Sequence, residues 1–384
     1  MDSVSPVTLD LNKEEGHCSN GAVVFDTSFL RRQAKIPESF VWPRNERPHP
    51  LEELEVPVVD LRGLFEGDEA SISRAAEASR AACVRHGFFQ VINHKVDAKV
   101  SGDALDAAGD FFKLPLSTKL RARRQPGSAW GYVGAHADRF ASKLPWKETL
   151  TFGYDYGERG DGVVDYFTSK LGEGFEPMGR VYRRYCEAMK ELSLSIMELL
   201  GISLGVGREY YRQFFEDGSS IMRCNSYPPC QEPELALGTG PHCDPTALTI
   251  LLQDHVGGLQ VFTEGKWQAV RPVRSALVIN IGDTFMALSN GRYKSCLHRA
   301  VVNSERERLS LAFFVCPRGD RVVRPPRELL LLLEEEEEEE EEAVPRAFPD
   351  FTWTELLEFT QTHYRADTTT LQNFARRRFL ASSP

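Results

Sequence analysis

The chain has 384 residues, 41% of them hydrophobic and 27% charged, with a formal net charge of −10. Nine of the acidic charges form one unbroken glutamate run over residues 334–342, and setting those nine aside leaves −1. So nearly neutral a remainder argues against a nucleic-acid-binding surface. Apolar runs such as residues 329–333 are far too short to cross a bilayer, so no membrane association is expected. No basic segment followed by an apolar stretch opens the chain. Eight cysteines without a Cys-x-x-Cys pair fit a reduced, cytoplasmic protein better than a disulfide scaffold or a zinc ribbon.

In chain order, residues 1–34 are polar and aperiodic and are expected to be disordered. A first folded region spans 35–175. Within it, residues 56–61 (Val-Pro-Val-Val-Asp-Leu) read as a short buried strand. Residues 69–86 form an alanine-rich helix with Ile72, Ala75, Ala76, Ala82 and Cys83 along a narrow apolar stripe. A strand follows at 87–91. A second helix, 97–112, stops near Pro115, because proline disfavours helical geometry in the residue before it. Residues 123–156 are rich in Gly and aromatics with weak periodicity, which predicts a long loop of the kind that binds ligands.

Residues 176–328 read as the core with its backing helix. Tyr185, Met189, Leu192, Ile196 and Leu199 recur at helical spacing within 177–204, a stripe that packs against a sheet more readily than it lines a cofactor. Short strands are expected at 221–227, 247–252, 259–262, 267–271, 276–281, 295–302 and 308–315, punctuated by Gly, Pro, Asn and Asp. Together these elements predict a mixed α and β fold, a double-stranded β-helix (jelly roll) core backed by helices, with a site between two facing sheets. Residues 329–347 read as a low-complexity Leu/Glu insertion that is solvated and disordered or a frayed helix. Residues 348–384 hold a C-terminal helix of about 352–365, carrying Trp353, Leu356, Leu357 and Tyr364, and then a solvated tail with three consecutive arginines at 376–378.

Chemistry concentrates in the core. His242 and Asp244 stand two apart in Gly-Pro-His-Cys-Asp-Pro (240–245), and His298 lies in Cys-Leu-His-Arg (296–299). On an extended strand residues i and i+2 point to one side, so His242 and Asp244 converge on one ion while Cys243 faces away. Two imidazoles and one carboxylate on one face of an octahedron suit Fe(II) and leave three cis positions for a chelating co-substrate and O2. Downstream, Arg308 and Ser310 alternate with Leu309, Leu311 and Phe313. They therefore share a face opposite the leucines. An arginine aimed into an apolar barrel needs an anion. Either an internal Asp or Glu supplies it, or the distal carboxylate of a keto dicarboxylic acid does so by accepting two parallel hydrogen bonds.

Beyond these residues the sequence resembles the plant Fe(II)- and 2-oxoglutarate-dependent dioxygenases, and within them the gibberellin 20-oxidases. The resemblance runs from about Ile36 to Phe374. Its blocks are Lys-Ile-Pro-Glu-Ser-Phe-Val-Trp-Pro (35–43), His-Gly-Phe-Phe-Gln-Val (86–91), His-Ala-Asp-Arg-Phe (136–140), Leu-Pro-Trp-Lys-Glu-Thr (144–149), Asn-Ser-Tyr-Pro-Pro-Cys (225–230) and the stretch from His242 to Leu251. The Leu-Pro-Trp-Lys-Glu-Thr block is the one that resembles gibberellin 20-oxidases in particular. Where the family usually shows Asn-Tyr-Tyr-Pro-Pro-Cys, this chain has Ser226, which alternation turns to the opposite face.

The resemblance implies His242, Asp244 and His298 as catalytic metal ligands, with Asn225 and Tyr227 joining Arg308 and Ser310 around the co-substrate. It implies Fe(II), 2-oxoglutarate, O2 and ascorbate as reductant. The implied reaction is stepwise oxidation of carbon 20 of a twenty-carbon gibberellin precursor, ending in loss of that carbon, by a protein expected to be a monomer. Another plant dioxygenase, acting on a different gibberellin carbon or a flavonoid, and a non-catalytic jelly-roll protein that binds a hormone remain as alternatives. Gibberellin precursors are rigid apolar diterpenes bearing carboxylates, and Arg139, Phe140, Trp146 and Lys147 are candidates for their pocket. For Trp146 and Phe140 the other reading is packing of the loop onto the barrel; for Lys147 and Arg139 it is surface ion pairing.

Overall fold

Alternation of apolar and polar residues builds the strands, and their register decides which side chains meet. The computed structural model describes residues 25, 30, 33–49, 51–136, 143–157, 161–336, 346–363 and 370–382. The strands are β1 (Val58–Asp60), β2 (Phe88–Ile92), β3 (Gly131–Gly134), β4 (Glu148–Asp155), β5 (Ser219–Tyr227), β6 (Thr239–His242), β7 (Leu248–Gln253), β8 (Leu259–Thr263), β9 (Lys266–Ala269), β10 (Leu277–Ile281), β11 (His298–Ala300), β12 (Arg308–Cys316), β13 (Val322–Val323) and β14 (Phe351–Thr352). A large sheet runs β1-β2-β10-β7-β12-β5-β4-β3, a smaller one β6-β11-β8-β9, and β13 pairs with β14. Every pairing between these strands is antiparallel except β1 with β2. The large and small sheets face each other as the expected jelly roll.

The helices are α1 (Arg62–Glu66), α2 (Glu69–Arg85), α3 (Ala98–Lys113), α4 (Leu116–Arg121), α5 (Gly162–Leu171), α6 (Glu176–Ser203), α7 (Glu209–Phe215), α8 (Asp283–Leu288), α9 (Arg327–Glu336), α10 (Trp353–His363) and α11 (Thr370–Ser382). Local chemistry starts several of them. Asp68 accepts from the Ala70 amide at 3.2 Å, and Asp97 from the Lys99 amide at 2.8 Å, each satisfying an orphan donor of a first turn. In α6 the residues Tyr182, Tyr185, Met189, Leu192, Ile196 and Leu199 are buried in the same cluster as Leu150, Phe152, Met222, Leu311 and Phe313 from the outer face of the large sheet. The stripe is core, as its spacing implies, and the helix backs the barrel. Gly87, at φ +71°, supplies the left-handed turn between α2 and β2.

Four sequence expectations change. Residues 123–156 do not form one long loop: β3 and β4 arise there, and β4 pairs with β5 along Glu148–Asp155, widening the large sheet. Apolar neighbours across the sheet, not local periodicity, made these strands. The Leu/Glu tract begins as α9, with Leu329 fully buried in the main core and Leu332 against Gly205, so its first turns are packed rather than solvated. Residues 337–345 lie outside the described residues. The segment holding the three arginines is helical: Leu371, Phe374 and Ala375 of α11 are buried, and Arg378 pairs with Glu355 of α10 at 2.5 Å. At the other end, Phe25 and Leu30 are buried in a second cluster with Phe40 and Trp146, so residues 1–34 are not uniformly outside the fold.

Candidate metal and co-substrate site

The small sheet positions the histidines. β6 and β11 pair with His242 opposite His298, and their rings lie 4.2 Å apart between centroids. Each Nδ1 meets the carbonyl two residues upstream, Gly240 at 2.9 Å and Cys296 at 3.3 Å. That bond selects the tautomer whose Nε2 lone pair points into the site. Asp244 follows β6, with Oδ1 at 3.7 Å from His242 Nε2 and Oδ2 at 3.7 Å from His298 Nε2. The three ligand atoms all lie within 4.8 Å of one another. Burial and the adjoining His298 ring push the His242 pKa down, which keeps its imidazole neutral and able to donate a lone pair. Burial alone would raise the Asp244 pKa, but His298, His242 and two hydrogen bonds together bring it below the usual carboxylate range. The donor set, its charge state and its spacing fit a divalent ion held on one face.

The large sheet supplies what holds Asp244 in place. Thr249 Oγ1 donates to Asp244 Oδ2 at 2.6 Å and Asn280 Nδ2 donates to the same oxygen at 3.0 Å. Oδ1 is left as the atom facing the His242 side. Phe88 packs edge-on against His298 at 5.6 Å. Sequence reasoning missed these supports, although one signal was present: Asn280 is a lone amide in the otherwise apolar run Leu277–Ile281.

Further along the cavity, register places Thr149, Asn225, Ser310 and Gln253 in one row across four strands. Arg308 sits opposite Tyr227, and its guanidinium lies over that ring at 4.9 Å. Arg308 Nη2 donates to Gln253 Oε1 at 3.0 Å, whereas its buried Nε, Gln253 Nε2 and Thr149 Oγ1 have no hydrogen-bond partner among the described residues. Arg308 meets Gln253 and the Tyr227 ring, and the internal Asp or Glu considered from the sequence is not found beside it among the described residues. Unpaired buried donors carry a penalty of about 1–3 kcal/mol each, which an incoming carboxylate removes. Asn225 Nδ2 donates to Ser310 Oγ at 3.3 Å, and the Tyr227 hydroxyl meets Thr239 Oγ1 at 3.2 Å. Ser226 is turned to the other face, donating to Glu307 at 2.6 Å.

The four candidate substrate residues separate. Arg139 and Phe140 lie outside the described residues. Trp146 is buried among Phe25, Phe40 and Tyr227, and its Nε1 donates to the Pro228 carbonyl at 3.1 Å, so it fixes the loop ahead of β4. Lys147 is buried rather than a surface ion pair. Its Nζ is 3.5 Å from Asn225 Oδ1 and 5.9 Å from the Tyr227 ring centre. Burial first, then the charges of Arg223 and Arg308, hold its pKa well below the usual lysine range. One reason Lys147 faces inward is its neighbour: Glu148 is fixed on the opposite face by Lys119 at 2.5 Å and by the Tyr132 hydroxyl.

Comparison with known proteins agrees with this geometry. Residues 218–317 match the family described as the 2OG-Fe(II) oxygenase superfamily, and residues 56–166 match the N-terminal region described as non-haem dioxygenase in morphine synthesis. Gibberellin 20 oxidase 2 of Oryza sativa subsp. indica is 64% identical over 348 residues, covering 90% of this chain and 86% of the relative. Gibberellin 20 oxidase 1 of Arabidopsis thaliana is 56% identical, covering 92% and 91%. Among solved structures, JOX2 in complex with 2OG, Fe and JA superposes with a TM-score of 0.74 at 30% identity, covering 91% of this chain and 96% of that one. The rice dioxygenase for auxin oxidation gives 0.67 at 26% identity, covering 83% and 99%.

Proposed function

Since the chain belongs to the gibberellin 20 oxidases of the 2OG-Fe(II) oxygenase superfamily, we propose that it oxidises carbon 20 of twenty-carbon gibberellin precursors stepwise, ending in loss of that carbon. The chain is a 2-oxoglutarate-dependent dioxygenase with a small-molecule substrate. The observation that carries the reading is the pairing of a complete His242–Asp244–His298 face with unpaired buried donors on Arg308 and Gln253 in the same cavity. When bound, Fe(II) with 2-oxoglutarate and O2 supplies the oxidant for a C–H bond, and 2-oxoglutarate leaves as succinate and CO2.

The chain's own residues do the rest. His242, Asp244 and His298 would hold Fe(II). Thr249 and Asn280 keep Asp244 ionised and aimed. Arg308 and Ser310 receive the distal carboxylate of 2-oxoglutarate, while Tyr227 supports the guanidinium and Gln253 sets its rotation. Asn225 ties Ser310 to Lys147, whose ammonium form is disfavoured by burial and by the neighbouring arginines and would be favoured by an anion entering beside it. Ascorbate serves as an external reductant. A monomeric, cytoplasmic protein without nucleic-acid or membrane partners completes the reading; among the described residues no helix is long and apolar enough to cross a membrane.

The test is incubation of purified protein with Fe(II), 2-oxoglutarate and a panel of gibberellin precursors, with products identified by mass spectrometry. Products altered at carbon 20 are expected. Oxidation at another carbon alone, or turnover of a flavonoid instead, would overturn the assignment.

A further inference from the structure

One cross-strand row of the large sheet leads from the metal end of the cavity toward solvent. Register aligns Phe88, Asn280, Thr249, Phe314, Ile221 and Gly153 across β2, β10, β7, β12, β5 and β4. The first three serve the metal end: Phe88 packs on His298, while Asn280 and Thr249 hold Asp244. The residues assigned to the co-substrate lie off this row, since Ser310 and Arg308 sit further along β12, past Ala312. Beyond Thr249 the row becomes apolar and opens outward. Thr249 is buried, Phe314 and Ile221 are half-buried, and the Trp130 indole beside Gly153 is 40% exposed. Three inter-strand steps separate Thr249 from Gly153, a span of about 14 Å, which suits a rigid body of several fused rings.

Gly153 makes the seat for Trp130. A Cβ at position 153 would meet carbons of the indole at 3.3 to 3.7 Å, so the ring rests directly on the sheet because the side chain is missing. Alternation puts that missing side chain on the cavity face, with Thr149 and Thr151, whereas Leu150 and Phe152 join the main core on the other side. The backbone beneath the indole is fixed without its help. Tyr132 donates its amide to the Ala122 carbonyl at 2.7 Å, and Arg124 donates to the Tyr132 carbonyl at 3.0 Å. Gly131, at φ +131°, lies so close to Arg124 that a Cβ there would come within 2.5 Å of its backbone. Trp130 and Phe314 also stand outside the three apolar clusters formed by the described residues. Two large rings on one face, neither absorbed by a cluster, suit an apolar ligand lying between them.

We propose that Trp130, seated on Gly153, is the outer wall of the substrate channel and takes the end of a rigid apolar polycycle remote from the carbon to be oxidised. Phe314 lies under the middle of that polycycle, and the near end reaches the Asp244 side of the metal site. The inference rests on the proposed function for the class of substrate, and it deepens that reading by naming the residue that limits the channel's length.

The experiment compares the full-length wild type with Trp130→Ala, Trp130→Phe and Gly153→Val. The probes are rigid apolar compounds of one to four rings, a twenty-carbon gibberellin precursor among them. Their Kd is measured by anaerobic calorimetric titration with Fe(II) and 2-oxoglutarate present, so no turnover is needed. Trp130→Ala should raise the Kd of the largest probes by about ten- to a hundred-fold, the range for one large apolar contact. One-ring probes, too short to reach position 130 from the metal, should bind as they do to the wild type. That dependence on size separates a wall from a residue that only supports the fold. Trp130→Phe should keep part of the affinity, and it carries the test if the alanine variant does not fold. Gly153→Val should mimic Trp130→Ala, and the double variant should lose no more than either single one. Equal losses for small and large probes, additive losses in the double variant, or wild-type affinity in Trp130→Ala overturns the inference. A wild type that binds none of the probes overturns it together with the reading beneath it. Products identified by mass spectrometry in air separate the two. A size-dependent loss in Trp130→Ala with products not altered at carbon 20 sustains Trp130 and overturns the carbon-20 reading, whereas carbon-20 products without that loss do the reverse.

Discussion

The two ends of the cavity are built on opposite principles. At the metal end the protein completes the hydrogen bonding itself: His242 and His298 each bond a strand carbonyl, and Asp244 receives Thr249 and Asn280. At the carboxylate end, Arg308 Nε, Gln253 Nε2 and Thr149 Oγ1 lack partners among the described residues. A metal site needs ligand geometry fixed before the ion arrives, because three donors must point at one place. A site for an organic acid needs donors left over, because the acid supplies the acceptors. The first end is therefore prearranged, and the second, on the proposed reading, would be complete only when occupied.

The largest effect should come from the prearranged end. Replacing His242, Asp244 or His298 by Ala should abolish turnover with the fold retained, checked by succinate formation and far-UV circular dichroism. Full activity in Asp244→Ala with bound Fe(II) would end the assignment. A subtler break is Asn280→Ala, which leaves all three ligands but frees the Asp244 carboxylate from one of its two donors. Fe(II) affinity should fall by about ten- to a hundred-fold, the usual cost of losing a residue that orients a ligand. Titration with Fe(II) under anaerobic conditions would read it, and affinity for 2-oxoglutarate measured at saturating iron should stay close to wild type.

Arg308→Lys addresses the other end. It keeps the charge and loses the planar fork, so the apparent affinity for 2-oxoglutarate should drop about ten- to a hundred-fold while Fe(II) affinity barely moves. If both affinities fell together, the two ends would not be separable. The smallest effect on catalysis should come from Leu329→Ala, far from either end. A cavity at this fully buried position should cost about 2–5 kcal/mol of stability, seen as a lower melting temperature, with kcat little changed at a temperature where the variant is folded.

Much of this was legible beforehand. The parity of Arg308 and Ser310 depends only on strand alternation, a local property of the chain, as the apolar stripes of α2 and α6 depend on helical periodicity; His242 ends β6 and Asp244 lies just beyond it, yet the two still converge as their spacing implied. Residues 123–156 were not legible as strands, since Gly131–Gly134 and Glu148–Asp155 owe their extended form to pairing with each other and with β5, which begins at Ser219. Trp146 could not be told from a pocket wall until Phe25, Phe40 and the Pro228 carbonyl were seen around it.

By itself, then, the sequence determined the fold class, the three metal-facing side chains and the arginine at the far end, because periodicity and chemical type are written residue by residue. Tertiary structure alone decided the partners. Thr249 and Asn280 meet on one oxygen of Asp244, Gln253 turns Arg308, and Lys147 meets Asn225. Those meetings depend on the register of strands far apart in the chain. A one-residue slip of any of them would turn its side chains to the opposite face, and no local pattern specifies the register between two particular strands.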